Sequence, residues 1–141
     1  MSSQSVIRLS MYFKRNPKLS EEEFHKYWTE DHAPLVSEWL AGHGVLRYVQ
    51  NHFPPSTRAM AEGVKELPLA DLLLPFDGVA DFWMYKLEDF LNATKDPYYK
   101  EKVAADEDYL FDRTATRMTI GKEVVVIENG KVLQDKFVWA G

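Results

Sequence analysis

Three ionisable side chains stand out in this chain: His32 and Asp81, each in an otherwise apolar pattern, and His52, at the end of a polar strand face. Histidine changes its charge near neutral pH, and a carboxylate in an apolar strand has a raised pKa unless it is paired. Groups of this kind transfer protons and stabilise developing charge. The sequence therefore predicts acid–base chemistry, with these three side chains as the candidate catalytic residues.

Other kinds of chemistry have little support in the 141 residues. The chain has no cysteine, so it offers no thiol nucleophile, thiolate ligand or disulfide, which favours a cytoplasmic setting. It has no His-x-x-x-His pair and no glycine-rich phosphate loop, so no metal and no nucleotide cofactor are expected. A net charge of -5 argues against nucleic acid, and the longest apolar stretch, 67–76, is too short to span a membrane. The expected ligand is a small molecule.

His32 belongs to the first predicted helix, whose start is marked by Ser20 and Glu23 as a capping box. At 100° per residue His32 falls within the apolar stripe of this helix, and Pro34 predicts a kink or restart beside it. The helix is expected to stop at the glycines that flank His43, Gly42 and Gly44. A catalytic His32 would face a cavity between helix and sheet. The alternative is a capping or core histidine bonded to the backbone.

His52 and Asp81 lie in predicted strands. The first strand covers 6–14, the second 45–53 and the third 79–86, each with alternating side chains. His52 ends the polar face of the second strand, and its alternative role is a strand-end residue bonded to the next loop. Asp81 stands among apolar residues of the third strand. The alternative for Asp81 is a salt bridge to one of three arginines, Arg8, Arg47 or Arg117.

The remaining segments complete the predicted fold. Residues 54–75 are expected to form a long loop with room for one helical turn, followed after the third strand by a broken helical region over 87–94 and 97–111. A fourth strand is predicted over 114–127, and Asn129-Gly130 predicts a type I′ turn into 132–138, a C-terminal hairpin arm. This order predicts one α+β domain over 1–141, a ferredoxin-like βαββαβ half-barrel that pairs with a second copy as a homodimer.

Aromatic and amide side chains on the same elements are the candidate substrate-binding residues: Phe24, Trp28, Tyr48, Gln50 and Trp83. Flat rings suit a flat aromatic ligand, although aromatic residues at helical and strand spacing are more often plain core. His25 and His43 are expected at the surface or in turns. Residues 106–108 are expected to form a solvated acidic face.

Several motifs together resemble one family. They are Glu22-Glu23-Phe24-His25-Lys26-Tyr27-Trp28, Asp31-His32-Ala33-Pro34-Leu35, Tyr48-Val49-Gln50-Asn51-His52, Phe76-Asp77-Gly78, Asp96-Pro97-Tyr98-Tyr99 and Asp106-Glu107. This set resembles the EthD-like family of the dimeric α+β barrel superfamily, in particular its fungal polyketide-pathway subgroup. The resemblance adds some weight to a role for Asp106 and Glu107, although a place at a helix end would match as well.

The resemblance implies a cofactor-independent lyase that decarboxylates an aromatic polyketide carboxylic acid, because members of the subgroup are described as decarboxylases of anthraquinone-type acids. Two alternatives stay open: oxidation or cyclisation of a polyketide without a cofactor, and a non-catalytic polyketide-binding dimer. The family also includes proteins linked to ether degradation, so membership alone does not fix the reaction.

Overall fold

A four-stranded antiparallel sheet forms the centre of the computed structural model, which describes residues 5–133, 138, 139 and 141. The strand order is β2-β3-β1-β4, and the strands are β1 (Ile7–Phe13), β2 (Arg47–His52), β3 (Gly78–Met84) and β4 (Arg117–Lys122). Both helical regions connect strands that are not neighbours in this order. The predicted α+β, ferredoxin-like architecture is confirmed.

The first helical region consists of α1 (Glu21–Tyr27), a π-helical turn (Trp28–His32) and α2 (Ala33–Gly42). Ser20 and Glu23 form the predicted capping box. Pro34 cannot donate a backbone hydrogen bond, and the turn just before it is widened, with the Ala33 N–H bonded to the Trp28 carbonyl. The irregularity expected near His32 is therefore a π-helical turn, a feature that is frequent at functional sites.

The second helical region is broken where Asp96-Pro97 predicted an interruption: α4 (Leu87–Lys95) ends at an extended Asp96, and a π-helical turn (Tyr99–Val103) then leads into α5 (Ala104–Leu110). Residues of both regions form one buried cluster with residues of the sheet, and its best-buried large members are Leu9, Phe24, Trp28, Met84, Val103 and Leu110. The helices therefore cover one face of the sheet, which is the face that side chains such as Leu9 and Met84 point to.

Two predicted segments are wrong in part. The expected loop 54–75 contains α3 (Pro55–Glu62) and a 3₁₀ turn (Leu69–Leu72). Pro54 is extended and Pro55 takes the first helical position, where a missing N–H has no cost, so the two prolines start a helix instead of preventing one. The expected strand 114–127 is shorter, because a 3₁₀ turn (Arg113–Ala115) precedes β4 and the strand ends at Lys122.

The C-terminal hairpin is confirmed in its first part. Strands β5 (Ile127–Glu128) and β6 (Lys131–Val132) pair around Asn129 and Gly130, whose φ values of 52° and 77° fit a type I′ turn. Most of the predicted second strand, 132–138, lies outside the described residues.

Apolar side chains are exposed along β4 and the hairpin: Met118, Ile120, Val124, Val125, Val126, Ile127, Val132 and Leu133. We call this set the C-terminal strip. Exposed apolar side chains in such number on neighbouring segments are typical of a protein–protein contact. None of the helices in the described part of the chain is long and apolar enough to cross a membrane.

We predict that the chain is a two-fold dimer in which the C-terminal strip contacts the partner. Light scattering at micromolar concentration should give about twice the 16.4 kDa chain mass. Ile127→Asp should lower that mass toward the monomer, because a buried unpaired carboxylate is costly. Met60→Asp is the matched control, since Met60 is at least as exposed as Ile127 but lies on α3. A monomeric wild type would contradict the dimer, and a dimeric Ile127→Asp variant would contradict the interface.

Candidate active site

A cavity of about 160 Å³ lies between the helices and the covered face of the sheet. Most of its lining is apolar or aromatic, and polar groups stand at a few points. The enclosed part holds about one benzene-sized ring, and the cavity is partly open to solvent, so a second ring of a larger ligand would extend through the opening. Its aromatic and polar lining residues include Trp28, His32, Tyr48, Tyr99, Glu107 and Arg113.

His32 lies on the wall of this cavity and is 7% exposed. Its Nδ1 is 2.6 Å from Oδ2 of Asp106 on α5, a residue that is 74 positions away in the chain. The other carboxylate oxygen of Asp106 accepts a hydrogen bond from the Tyr27 hydroxyl. The π-helical turn therefore presents His32 to the second helical region, and the two regions meet through this hydrogen bond.

The protonation of His32 follows from its partner and its burial. An ionised Asp106 only accepts hydrogen bonds, so Nδ1 of His32 carries a proton and the lone pair of the neutral ring is on Nε2. Burial lowers the pKa of His32, and the hydrogen bond and charge of Asp106 act in the opposite direction. A neutral imidazole whose Nδ1–H is held by a carboxylate is the arrangement of a general base.

A second polar group lies at the same cavity. Burial raises the pKa of Glu107, while Arg113, whose guanidinium nitrogen is 3.6 Å from the carboxylate, acts against the rise. Arg113 also donates to the Tyr99 hydroxyl at 3.1 Å and is partly exposed. Glu107, Arg113 and Tyr99 therefore form a charged, polar section in an otherwise apolar lining.

His52 is not among the residues that line the cavity. Its ring packs against Trp28 with centroids 4.5 Å apart, and its Nδ1 is 2.7 Å from Nδ1 of His25. Its Nε2 is 2.9 Å from Oε1 of Gln50, which reaches the Tyr48 hydroxyl with its other end. The structure thus separates His52 from His32, and it connects His52 to the cavity only through Gln50 and Tyr48.

Asp81 and Trp83 lie on the opposite face of the sheet. Val49 is paired with Asp81, so Asp81 shares the face of Val49 and not that of Tyr48 and Gln50. Asp81 is bonded to Arg8 at 3.0 Å and to Ser10, the kind of salt bridge that was the alternative to a catalytic role.

Trp83 lies under two guanidinium groups on that face, those of Arg8 and Arg47, at 5.4 and 4.4 Å from its ring. Neither Asp81 nor Trp83 is brought to the cavity within one chain. The structure therefore gathers only His32, Trp28 and Tyr48 of the candidates at the cavity wall, with Gln50 and the fully buried Phe24 behind them.

Sequence reasoning underestimated Asp106 and His25. The expected solvated acidic face is wrong for Asp106, whose side chain is 11% exposed against His32. His25 was expected at the surface and is instead half-buried against His52. The family motif Asp106-Glu107 was the one sequence feature that indicated a role for Asp106. No rule of sequence spacing would have paired His25 on a helix with His52 on a strand.

Comparison with known proteins now identifies the fold and the family. The EthD domain matches residues 16–114 of this chain. The chain belongs to the EthD domain family. It is 34% identical over 130 residues to a "conidial pigment biosynthesis dehydratase EthD" from Metarhizium robertsii, covering 92% of this chain and 91% of that protein.

Two further relatives show the range of the EthD family. "Decarboxylase AgnL1" from Paecilomyces divaricatus is 27% identical over 120 residues, which is 85% of this chain and 80% of that protein. The crystal structure of an EthD-like protein from Ralstonia eutropha superposes with a TM-score of 0.56 at 20% identity, covering 87% of this chain and 96% of that one. This structural likeness supports the fold alone.

The burial of His52 predicts a pH dependence of stability. Burial, and then the neighbouring His25, lower its pKa from 6.5 to about 4, so the unfolded chain binds more protons between these values. The stability contributed by neutral His52 is complete above pH 6.5 and is lost as the pH falls toward 4. In urea unfolding, His52→Gln should therefore show a shallower loss of stability in this range than wild type. Equal slopes for wild type and His52→Gln would contradict this account.

Proposed function

We propose that this chain is a cofactor-independent lyase that dehydrates a hydroxylated aromatic polyketide, with His32 as its acid–base group. The observation that carries the proposal is the 2.6 Å hydrogen bond from His32 to Asp106 at the wall of an apolar cavity. Dehydration is favoured because the 34% identical relative is named a dehydratase, whereas the relative at 27% is named a decarboxylase. In this respect the proposal differs from the expectation based on sequence.

The reaction needs one base that acts twice. Nε2 of His32 takes a proton from the carbon beside a ketone, and the C–H electron pair moves to give an enolate. When the enolate carbonyl re-forms, a carbon–carbon double bond is made and the bond to the β-hydroxyl breaks. The leaving hydroxide takes the proton back from Nε2 and departs as water. Asp106 holds Nδ1–H throughout and stabilises the transient imidazolium, and no oxidant or reductant is consumed.

Decarboxylation is the second candidate, and Arg113 favours it. Arg113 lines the cavity, and a substrate carboxylate could take the place of Glu107 or Asp108, which its guanidinium contacts at 3.6 and 3.0 Å. The bond to the carboxylate breaks, its electron pair gives the same enolate, and carbon dioxide leaves. Nε2 of His32, protonated from solvent, then donates to the carbon, so that one proton is taken up for each carbon dioxide released. The two reactions share the enolate and differ in the leaving group.

Two probes separate these reactions, since each can lose only one of the two leaving groups. Both probes yield 1-naphthol, so one assay follows both reactions. Loss of water from 3-hydroxy-1-tetralone reports dehydration, and loss of carbon dioxide from 1-hydroxy-2-naphthoic acid reports decarboxylation. We expect the dehydration probe to be converted well above its spontaneous rate. Conversion of only the second probe would replace dehydration by decarboxylation. Tight binding of both without conversion would contradict a lyase and favour a non-catalytic polyketide-binding dimer.

His32→Gln and Asp106→Asn should each lower turnover of the dehydration probe about a hundredfold or more, because positioned proton transfer is typically worth about 10² to 10⁴ in rate. The chain contains a matched control outside the cavity, where His43 and Asp96 form a similar pair. The distance between His43 Nε2 and Asp96 Oδ2 is 2.8 Å. His43→Gln should keep the wild-type rate. Full activity of a folded His32→Gln variant would contradict the assignment.

The pH profile provides an independent check. Because the pKa of His32 is lowered from 6.5 and the base form is the active one, turnover should persist below pH 6.5 and fall only at lower pH. We expect the same profile after dialysis against a chelator. A rate that already falls by half at pH 6.5, or that requires an added divalent ion, would contradict a neutral buried His32 as the base.

A further inference from the structure

Gln50 occupies a position in which the direction of every neighbouring hydrogen bond can be assigned. Its Nε2 is 2.9 Å from the backbone oxygen of Trp28 and 2.9 Å from the Tyr48 hydroxyl. A carbonyl oxygen can only accept, so this end of the amide is the NH₂ group and the other end is the oxygen. That oxygen is 2.9 Å from Nε2 of His52, which must therefore carry a proton. The Thr29 hydroxyl fits this direction, because it lies 3.2 Å from the same Nε2 and donates to the Gln50 oxygen at 3.5 Å.

The same logic extends to the two histidines. Neutral His52 with a proton on Nε2 has its lone pair on Nδ1, and Nδ1 of His25 is 2.7 Å away. His25 therefore donates from Nδ1. Burial lowers the pKa of both rings, in agreement with two neutral histidines at neutral pH. His25 donates to His52, and His52 donates to the oxygen of Gln50.

Because the Tyr48 oxygen accepts a hydrogen bond from the NH₂ group of Gln50, the proton of the Tyr48 hydroxyl remains available for donation. The Tyr48 oxygen accepts from Gln50, no acceptor for its own proton lies among the described residues, and Tyr48 lines the cavity. The indole N–H of the fully buried Trp28 also approaches the Tyr48 hydroxyl as a donor, and it makes no closer hydrogen bond in the described part of the chain. Buried polar groups without partners are rare in folded proteins and call for an explanation.

We propose that the Tyr48 hydroxyl forms a subsite for a ketone or enolate oxygen of the substrate, and that Gln50, His52 and His25 hold Tyr48 in its donating orientation. A donor at the wall of an apolar cavity suits the oxygen of a flat cyclic ketone. The subsite deepens the proposed function, on which its catalytic role rests, because the enolate oxygen made by His32 would be stabilised there. Tyr48 is then a substrate-binding group, and the other three are positioning residues.

The test compares two ligands that differ in one oxygen. 1-Tetralone has the ring system of tetralin plus a ketone, and neither has a leaving group, so affinity can be measured without turnover by quenching of tryptophan fluorescence. Wild type should bind the ketone about three- to tenfold more tightly than the hydrocarbon, the range expected for a net hydrogen bond.

Two substitutions should abolish this preference. Tyr48→Phe removes the donor, and Gln50→Glu replaces the amide by a carboxylate of the same shape that draws the Tyr48 proton away from the cavity. The control is Tyr98→Phe, since the Tyr98 hydroxyl bonds the Leu35 carbonyl and is not part of the cavity wall. A wild type without preference, or a Tyr48→Phe variant that retains it, would overturn the subsite.

A second measurement needs no variant. Nitrogen NMR of the neutral histidines should show His52 protonated on Nε2 and His25 protonated on Nδ1, and the opposite tautomer of either would overturn the assigned direction. The outcomes also separate the two proposals. Ketone preference without turnover of either naphthol-forming probe would contradict the proposed function alone, whereas turnover without ketone preference would contradict the subsite alone.

Discussion

The hydrogen bond between His32 and Asp106 is the interaction on which the candidate site depends. It joins the two helical regions over the cavity, and it requires both a widened turn before Pro34 and a second one before α5. Without Asp106, a buried His32 would have no fixed tautomer and no stabilisation of its charged form. A single carboxylate thus contributes to the packing of the helices and to the chemistry of the ring.

Trp28 lies between His32 with its partner Asp106 and His52 with its partner His25. It lines the cavity together with His32, and the ring of His52 packs against the Trp28 ring. Gly78 makes this packing possible, because a Cβ at that position would lie 2.5 Å from the Trp28 ring. The same tryptophan supplies the carbonyl oxygen that fixes the direction of Gln50. The aromatic core therefore determines which polar groups reach the cavity.

Much of this fold can be predicted from local pattern, and less of the site can. Strand alternation gave the faces of β2 and β3 separately, but the register that pairs Val49 with Asp81 is a tertiary fact, and it places Asp81 behind the sheet. Helical spacing predicted an inward His32 because its stripe continues through the π-helical turn. It could not predict Asp106, since an acidic run on a helix has the same pattern whether it faces water or a buried imidazole.

The central claim is that His32 transfers a proton between its Nε2 and a carbon beside a ketone: it removes the proton in dehydration and donates it in decarboxylation, and both reactions pass through an enolate. Its most direct test is hydrogen–deuterium exchange at the carbon next to the carbonyl of 1-tetralone, followed by NMR in heavy water. Our account predicts exchange well above the buffer rate for wild type and a rate near that of buffer for Asp106→Asn. If wild-type enzyme binds 1-tetralone but this carbon exchanges no faster than it does in buffer alone, the account is contradicted.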